Sequence, residues 1–84
     1  LQSITISKQT ALEECVRASL TRYFEDLDGS APHDMWDMVM HCVERPVLEV
    51  AMERAGGNQS RASEMLGITR NTLRKKLLAH NLQP

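Results

Sequence analysis

The pattern that most constrains this chain lies between Asn58 and Leu77. There the small pair Ala62-Ser63 is followed by Gly67, and Leu66, Ile68, Leu73 and Leu77 surround the glycine. Two short helices that cross steeply need small side chains where their backbones touch. They also need a turn residue tolerant of positive φ and an apolar patch to hold the pair together. Any one of these signals alone is weak, but in this order they specify a helix-turn-helix within residues 56–84. Asn58 reads as the N-cap of a helix over about Gln59 to Leu66, Gly67-Ile68-Thr69 as the turn, and Thr69 as the N-cap of a last helix from Arg70 to Ala79 or His80.

The net charge of −1 conceals a strong asymmetry. Residues 1–55 carry five basic and ten acidic residues, a balance of −5, whereas residues 56–84 carry Arg61, Arg70, Arg74, Lys75 and Lys76 against Glu64 alone, a balance of +4. A chain divided in this way is suited to meeting a polyanion with one end only. With Leu73 and Leu77 turned inward, Arg70, Asn71, Arg74 and Lys75 fall on outward faces of the last helix. Recognition helices read base edges from their N-terminal residues, which places Thr69, Arg70 and Asn71 at the reading end. Arginine pairs with guanine O6 and N7 in a bidentate fashion, so Arg70 is the expected base reader. Thr72, Arg74, Lys75 and Lys76 suit phosphate contacts. So do Asn58, Ser60 and Arg61, at a helix start whose free N–H groups favour anions.

Upstream, Leu12, Val16, Leu20, Tyr23, Phe24 and Leu27 form one apolar stripe and predict a helix from about Thr10 to Asp26. Thr10 is its expected N-cap and Glu13 the capping-box partner. Asp28-Gly29-Ser30-Ala31-Pro32 makes a turn. A second helix is expected from Asp34, its cap, to Ala55, with Pro46 kinking it and Gly56-Gly57 ending it. Its apolar residues, from Met35 and Trp36 through Val43 and Val47 to Met52, cover more than one face. A helix of about 22 residues spans about 33 Å, too long for the rest of an 84-residue chain to surround. The inference is a partner, most simply a second copy. Residues 10–55 therefore read as the dimer core. Residues 1–9 read as an arm or disordered tail, in which Ile4-Thr5-Ile6 has the alternation of a short strand. The chain lacks an initiator Met, and Leu1 to Ser7 reads as a truncated start.

Other functional classes find little support. No apolar run approaches the roughly 18 residues of a membrane span, and no signal-peptide pattern opens the chain. Cys15 and Cys42 read as reduced thiols of a cytoplasmic protein, packed as small hydrophobes. Together with His33, His41 and His80 they are the only candidates for nucleophilic or metal chemistry. No two of them form a ligand pair at zinc spacing, and no Gly-rich phosphate loop is present. Neither enzymatic activity nor a metal or cofactor is expected.

The run Gly57-Asn-Gln-Ser-Arg-Ala-Ser, followed by Leu66-Gly-Ile-Thr-Arg-Asn-Thr-Leu-Arg-Lys-Lys-Leu77, resembles the Fis (factor for inversion stimulation) family of bacterial nucleoid proteins. The resemblance continues through Tyr23-Phe24 and Glu44-Arg45-Pro46-Val47-Leu48-Glu49 and covers about Leu12 to Leu82. It implies an all-α protomer of four helices, two long dimerisation helices followed by the helix-turn-helix, in an intertwined homodimer. It also implies a nucleoid-associated transcriptional regulator that binds double-stranded DNA at degenerate sites with A·T-rich centres and bends it. The family's DNA-contacting positions fall on Asn58, Ser60, Arg61, Thr69, Arg70, Thr72, Arg74, Lys75 and Lys76. Thr69 stands where asparagine is common in well-known members. The family's invertase-activating hairpin arm is at most partly represented by Leu1 to Gln9, which leaves contact with a recombinase or RNA polymerase open. The alternatives are the C-terminal DNA-binding domain of an NtrC-type activator, which shares this style of ending, and a pure dimerisation or protein-interaction module.

Overall fold

A computed structural model describes the backbone of residues 2–82 and the side chains of residues 8–82. The described regular structure is entirely helical: α1 (Gln2–Leu27), α2 (Met35–Arg54), α3 (Gln59–Leu66) and α4 (Arg70–Ala79). This is the all-α, four-helix protomer expected from the sequence. Among the described residues no helix is long and apolar enough to cross a membrane, and no group of three or more His, Cys, Asp or Glu is placed to hold a metal ion.

The chain divides into two compact units, Leu1–His33 and Asp34–Pro84. The first consists of α1, in which Thr21 Oγ1 donates to the Arg17 carbonyl at 2.9 Å. α1 begins at Gln2, so Ile4-Thr5-Ile6 is helical rather than the short strand expected, and Thr10 lies inside the helix rather than capping it. An isolated strand leaves its backbone groups without partners, whereas a helix satisfies its own. Leu1 lies outside the described residues. Along the expected apolar stripe Val16, Leu20, Tyr23 and Leu27 are half-buried, while Leu12 and Phe24 are exposed.

The second unit joins α2 to the helix-turn-helix. Leu48, Ala55, Ala62, Leu73 and Leu77 form its core, with Met52, Leu66, Ile68 and Leu82 packed against it. This boundary differs from a division after Ala55. Leu48, Ala51, Met52 and Ala55 recur at helical spacing, and this stripe of α2 supplies one wall of the core that α3 and α4 complete. At the helix crossing Ala62 is fully buried, and Ser63, also buried, donates its hydroxyl to the Ser60 carbonyl at 2.8 Å.

The ends of the helices follow local chemistry. Asn58 Oδ1 accepts the Arg61 N–H at 3.1 Å, and Thr69 Oγ1 accepts the Thr72 N–H at 3.1 Å. Gly67 turns the chain at φ +74°, and the N–H groups of Gly67 and Ile68 both reach the Ser63 carbonyl, at 2.9 and 3.1 Å. That left-handed conformation is the reason a glycine stands there. Asn81, at φ +57°, closes α4 in the same way, with the Leu82 N–H on the Leu77 carbonyl at 2.8 Å. Asp34 departs from expectation. It precedes α2, but at φ +48° and ψ +40° it is left-handed and its side chain makes no capping bond. A side-chain cap needs an extended residue at that position. Pro46 does lie inside α2.

A second stripe on α2 remains uncovered. Trp36, Met40, Val43, Val47 and Val50 are exposed, Trp36 at 74%. Their spacing alternates between four and three residues, which keeps them on one seam. At 100° per residue this seam lies roughly 100° around the helix from the core stripe.

Candidate nucleic-acid interface

With Leu73 and Leu77 buried, the other residues of α4 are exposed apart from Thr72 and Lys76, which are half-buried. Arg70, Asn71, Arg74 and Lys75 are all exposed, as are Asn58, Ser60, Arg61 and Thr69, while Thr72 is half-buried. The N-termini of α3 and α4 thus contribute polar groups, and Arg70 occupies the first position of α4. Among the described residues Arg61, Arg70, Arg74 and Lys75 enter no ion pair, which leaves four cations of one small unit free to neutralise an external anion.

Several of these side chains already have local tasks. Asn58 Oδ1 is committed to capping α3, while its amide N–H groups remain available. The Thr69 hydroxyl accepts from the Thr72 N–H and donates to Thr72 Oγ1 at 2.9 Å. A base contact by Thr69 would have to share an oxygen that starts the helix. Arg74 Nη2 donates to Asn71 Oδ1 at 3.0 Å, which holds the guanidinium along the outer face of α4.

Lys76 behaves differently from its neighbours. Its ammonium donates to Glu44 Oε2 on α2 at 2.6 Å, so it is drawn inward, away from the face bearing Arg70 and Lys75. Glu44 Oε1 meets His80 Nε2 at 3.0 Å. An ionised carboxylate only accepts, so Nε2 carries the hydrogen of this bond. His80 is 2% exposed, its ring stacks on His41 at a centroid distance of 4.2 Å, and its Nδ1 is buried with no partner among the described residues. Arg45 Nη1 donates to the His80 carbonyl at 2.6 Å, and Arg45 Nε pairs with Glu49 Oε2 at 3.6 Å. Sequence reading missed this cluster. Its members stand more than thirty positions apart along the chain, beyond the reach of helical periodicity. The local signal was an acid, Glu44, one turn before Leu48 at the register of the core stripe.

The Glu44 carboxyl is held below the usual glutamate range, first by the Lys76 hydrogen bond and then by that from His80. A carboxyl depressed by folding contributes stability that is fully present above its unfolded pKa of about 4.3 and is lost as pH falls through the lower folded value. Glu44→Gln is therefore expected to lower the melting temperature at pH 7 and to change it progressively less as the pH falls from the unfolded value through the lower folded one. Equal shifts across that pH range in thermal melts would show that the carboxylate charge is not what stabilises the contact.

Residues 41–80, which run from the middle of α2 to the end of α4, match the family described as bacterial regulatory protein, Fis family. Two proteins of Neisseria meningitidis, from serogroups A and B, are each 55% identical over 71 residues, or 84% of this chain and 90% of theirs. A protein of Ralstonia nicotianae is 55% identical over 71 residues as well, with 92% of its own length covered. All three carry the name "Putative Fis-like DNA-binding protein". The identity extends well beyond the helix-turn-helix into the preceding helices, and the chain belongs to the Fis family of bacterial regulatory proteins.

Proposed function

We propose that this protein is a non-catalytic regulator that binds double-stranded DNA as a homodimer and bends it. The observation that carries the DNA reading is the cationic outer face of the helix-turn-helix, with Arg70 exposed at the head of α4. Arg61, Arg74 and Lys75 lie outward with no competing carboxylate. DNA binding in the names of the relatives supports the same reading. Arg70 enters the major groove and reads guanine, while Asn58, Ser60, Arg61, Thr72, Arg74 and Lys75 hold phosphates. Lys76 contributes through Glu44 instead. The matched relatives are spanned for 90% or more of their length by this chain, which leaves those proteins no room for an ATPase domain.

The exposed α2 seam supports the dimer. Its apolar residues repeat at coiled-coil spacing on a helix whose neighbouring stripe is already buried, and a second copy of the same seam is its simplest cover. Two recognition helices held by such a core meet one face of the DNA. Where their separation is shorter than a helical turn, the duplex must curve and its central minor groove must narrow. Sequences that compress readily, A·T-rich ones above all, are then favoured without being touched. The acidic half of the chain faces away from the DNA, where the protein associates with the bacterial nucleoid.

Fluorescence anisotropy on short duplexes tests this. Affinity should fall steeply with salt, at roughly 0.9 counterions released per phosphate contact. Arg70→Ala should weaken specific binding by about 1–3 kcal/mol and relax base preference. Lys75→Ala should weaken all sequences alike and flatten the salt slope by about 1. The absence of salt-dependent DNA affinity in the wild-type chain would refute the proposal.

A further inference from the structure

The cluster around Glu44 lies at the end of α4 opposite to Arg70, so it does not belong to the reading face. It nevertheless concentrates four distinct contacts on the last turn of α4 and its cap. Glu44 Oε2 takes the Lys76 ammonium at 2.6 Å and Glu44 Oε1 takes His80 Nε2 at 3.0 Å. Arg45 Nη1 caps the His80 carbonyl at 2.6 Å, and His41 stacks on the buried His80 ring. All three partners on α2 fall within little more than one turn, positions 41–45. A cation on the last carbonyls of a helix is also favoured by its dipole.

Apolar packing alone leaves a helix some freedom to roll and tilt, because aliphatic contacts have no direction. Charge-assisted hydrogen bonds are directional and short. Here both oxygens of one carboxylate are engaged by Lys76 of α4 and by its C-cap His80, one turn apart, which fixes both the tilt and the roll of α4 against α2. The same α2 carries the uncovered apolar seam.

We propose that Glu44 and His80 are positioning residues for DNA recognition: by locking the end of α4 to α2 they set the angle at which paired recognition helices meet the duplex, and so how strongly the protein selects deformable DNA. This rests on the dimeric DNA-binding reading above. Neither residue touches DNA. Loosening the clamp lets each recognition helix adjust to a straighter duplex, so discrimination between flexible and stiff centres falls. In Glu44→Gln the ammonium of Lys76 is also released toward solvent and becomes available to phosphate.

The test uses the full chain and two duplexes with identical half-sites, one with a centre of TA steps and one with a G·C-rich centre. Anisotropy gives the affinity ratio between them, and circular dichroism verifies helicity at the assay temperature. Glu44→Gln and His80→Phe are each expected to reduce the ratio by about two- to thirty-fold. Glu44→Gln should also steepen the salt dependence by up to about 0.9 in log–log slope. His80→Gln, which retains an N–H donor, should restore part of the ratio lost in His80→Phe. A purely structural role would lower binding to both duplexes equally and leave the ratio and salt slope unchanged, and that result in folded variants overturns the proposal. Should Glu44→Gln or His80→Phe not fold, the double replacement Glu44→Gln with Lys76→Gln, which leaves no unmatched charge, decides by the same ratio. Failure of the wild-type chain to bind either duplex refutes the DNA reading itself, whereas an unchanged ratio among variants that bind refutes positioning alone.

Discussion

Leu73→Ala is expected to destabilise the second unit by about 2–5 kcal/mol, the range for removing a fully buried leucine from a core that cannot collapse around the cavity. Leu73 is 0% exposed and stands where α4 meets α2 and α3, among Leu48, Ala55, Ala62 and Leu77. A small domain has about 5–15 kcal/mol of stability in total, so this one change removes a large part of it. With about 4–8 °C of melting temperature per kcal/mol at this size, the transition should fall by at least about 8 °C. DNA affinity should follow the folded fraction, because the side chain lies on the inner face of α4. Leu78→Ala is the matched control. Leu78 is also on α4 but is 59% exposed, and its loss should stay within about 0.5 kcal/mol. Equal melting shifts for the two variants would mean that α4 packs by another face, and the assignment of its outer residues would fail with it.

The helix-turn-helix was legible because its signals are local. Ala62, Ser63 and Gly67 sit at fixed offsets, Asn58 and Thr69 cap the helices that follow them, and Leu73 and Leu77 mark the inner face. Each is decided by neighbours within one or two turns, the range over which a sequence pattern carries information. The start of α1 was less legible. Ile4-Thr5-Ile6 has β-branched alternation, but such a preference has force only when a neighbouring strand accepts the ladder. Asp34 has the composition of a cap without its backbone conformation, because φ and ψ there are set by how the preceding turn delivers the chain. Lys76 shows the limit most clearly. Read along α4, it is one of three consecutive cations, Arg74, Lys75 and Lys76, and its register differs from that of Lys75 by only 100°. That rotation suffices to turn it from solvent to Glu44. No pattern within α4 reveals that α2 presents a carboxylate at that point, so Lys76, grouped from the sequence with the phosphate contacts, stands in the structure half-buried and paired with Glu44.

If two copies meet along α2 as proposed, the exposed seam is the place where a substitution is expected to have the largest effect on function. On the proposed dimeric reading, Val43→Asp together with Val47→Asp is expected to yield monomers and to lower DNA affinity by about 10²–10⁴-fold. Both valines are exposed in the single chain and lie one turn apart at the middle of the Trp36–Val50 seam. Covering one such side chain contributes about 1.5–3 kcal/mol, and two copies in each of two protomers place four of them at the interface. Aspartates there would have to be buried without cations, at several kcal/mol per charge. The substitutions should spare the protomer, since Leu48, Ala51 and Ala55 hold α2 to the helix-turn-helix by the neighbouring stripe. A monomer still presents Arg70 and Lys75, so weak, salt-sensitive binding should persist. What disappears is the second helix-turn-helix, whose engagement is intramolecular once the first has bound, and with it the requirement that the duplex bend. Analytical ultracentrifugation with and without DNA, set beside Glu53→Gln as an exposed control on α2, measures both effects. A double variant that sediments as a dimer and binds like the wild type would show that the seam is not where two copies meet.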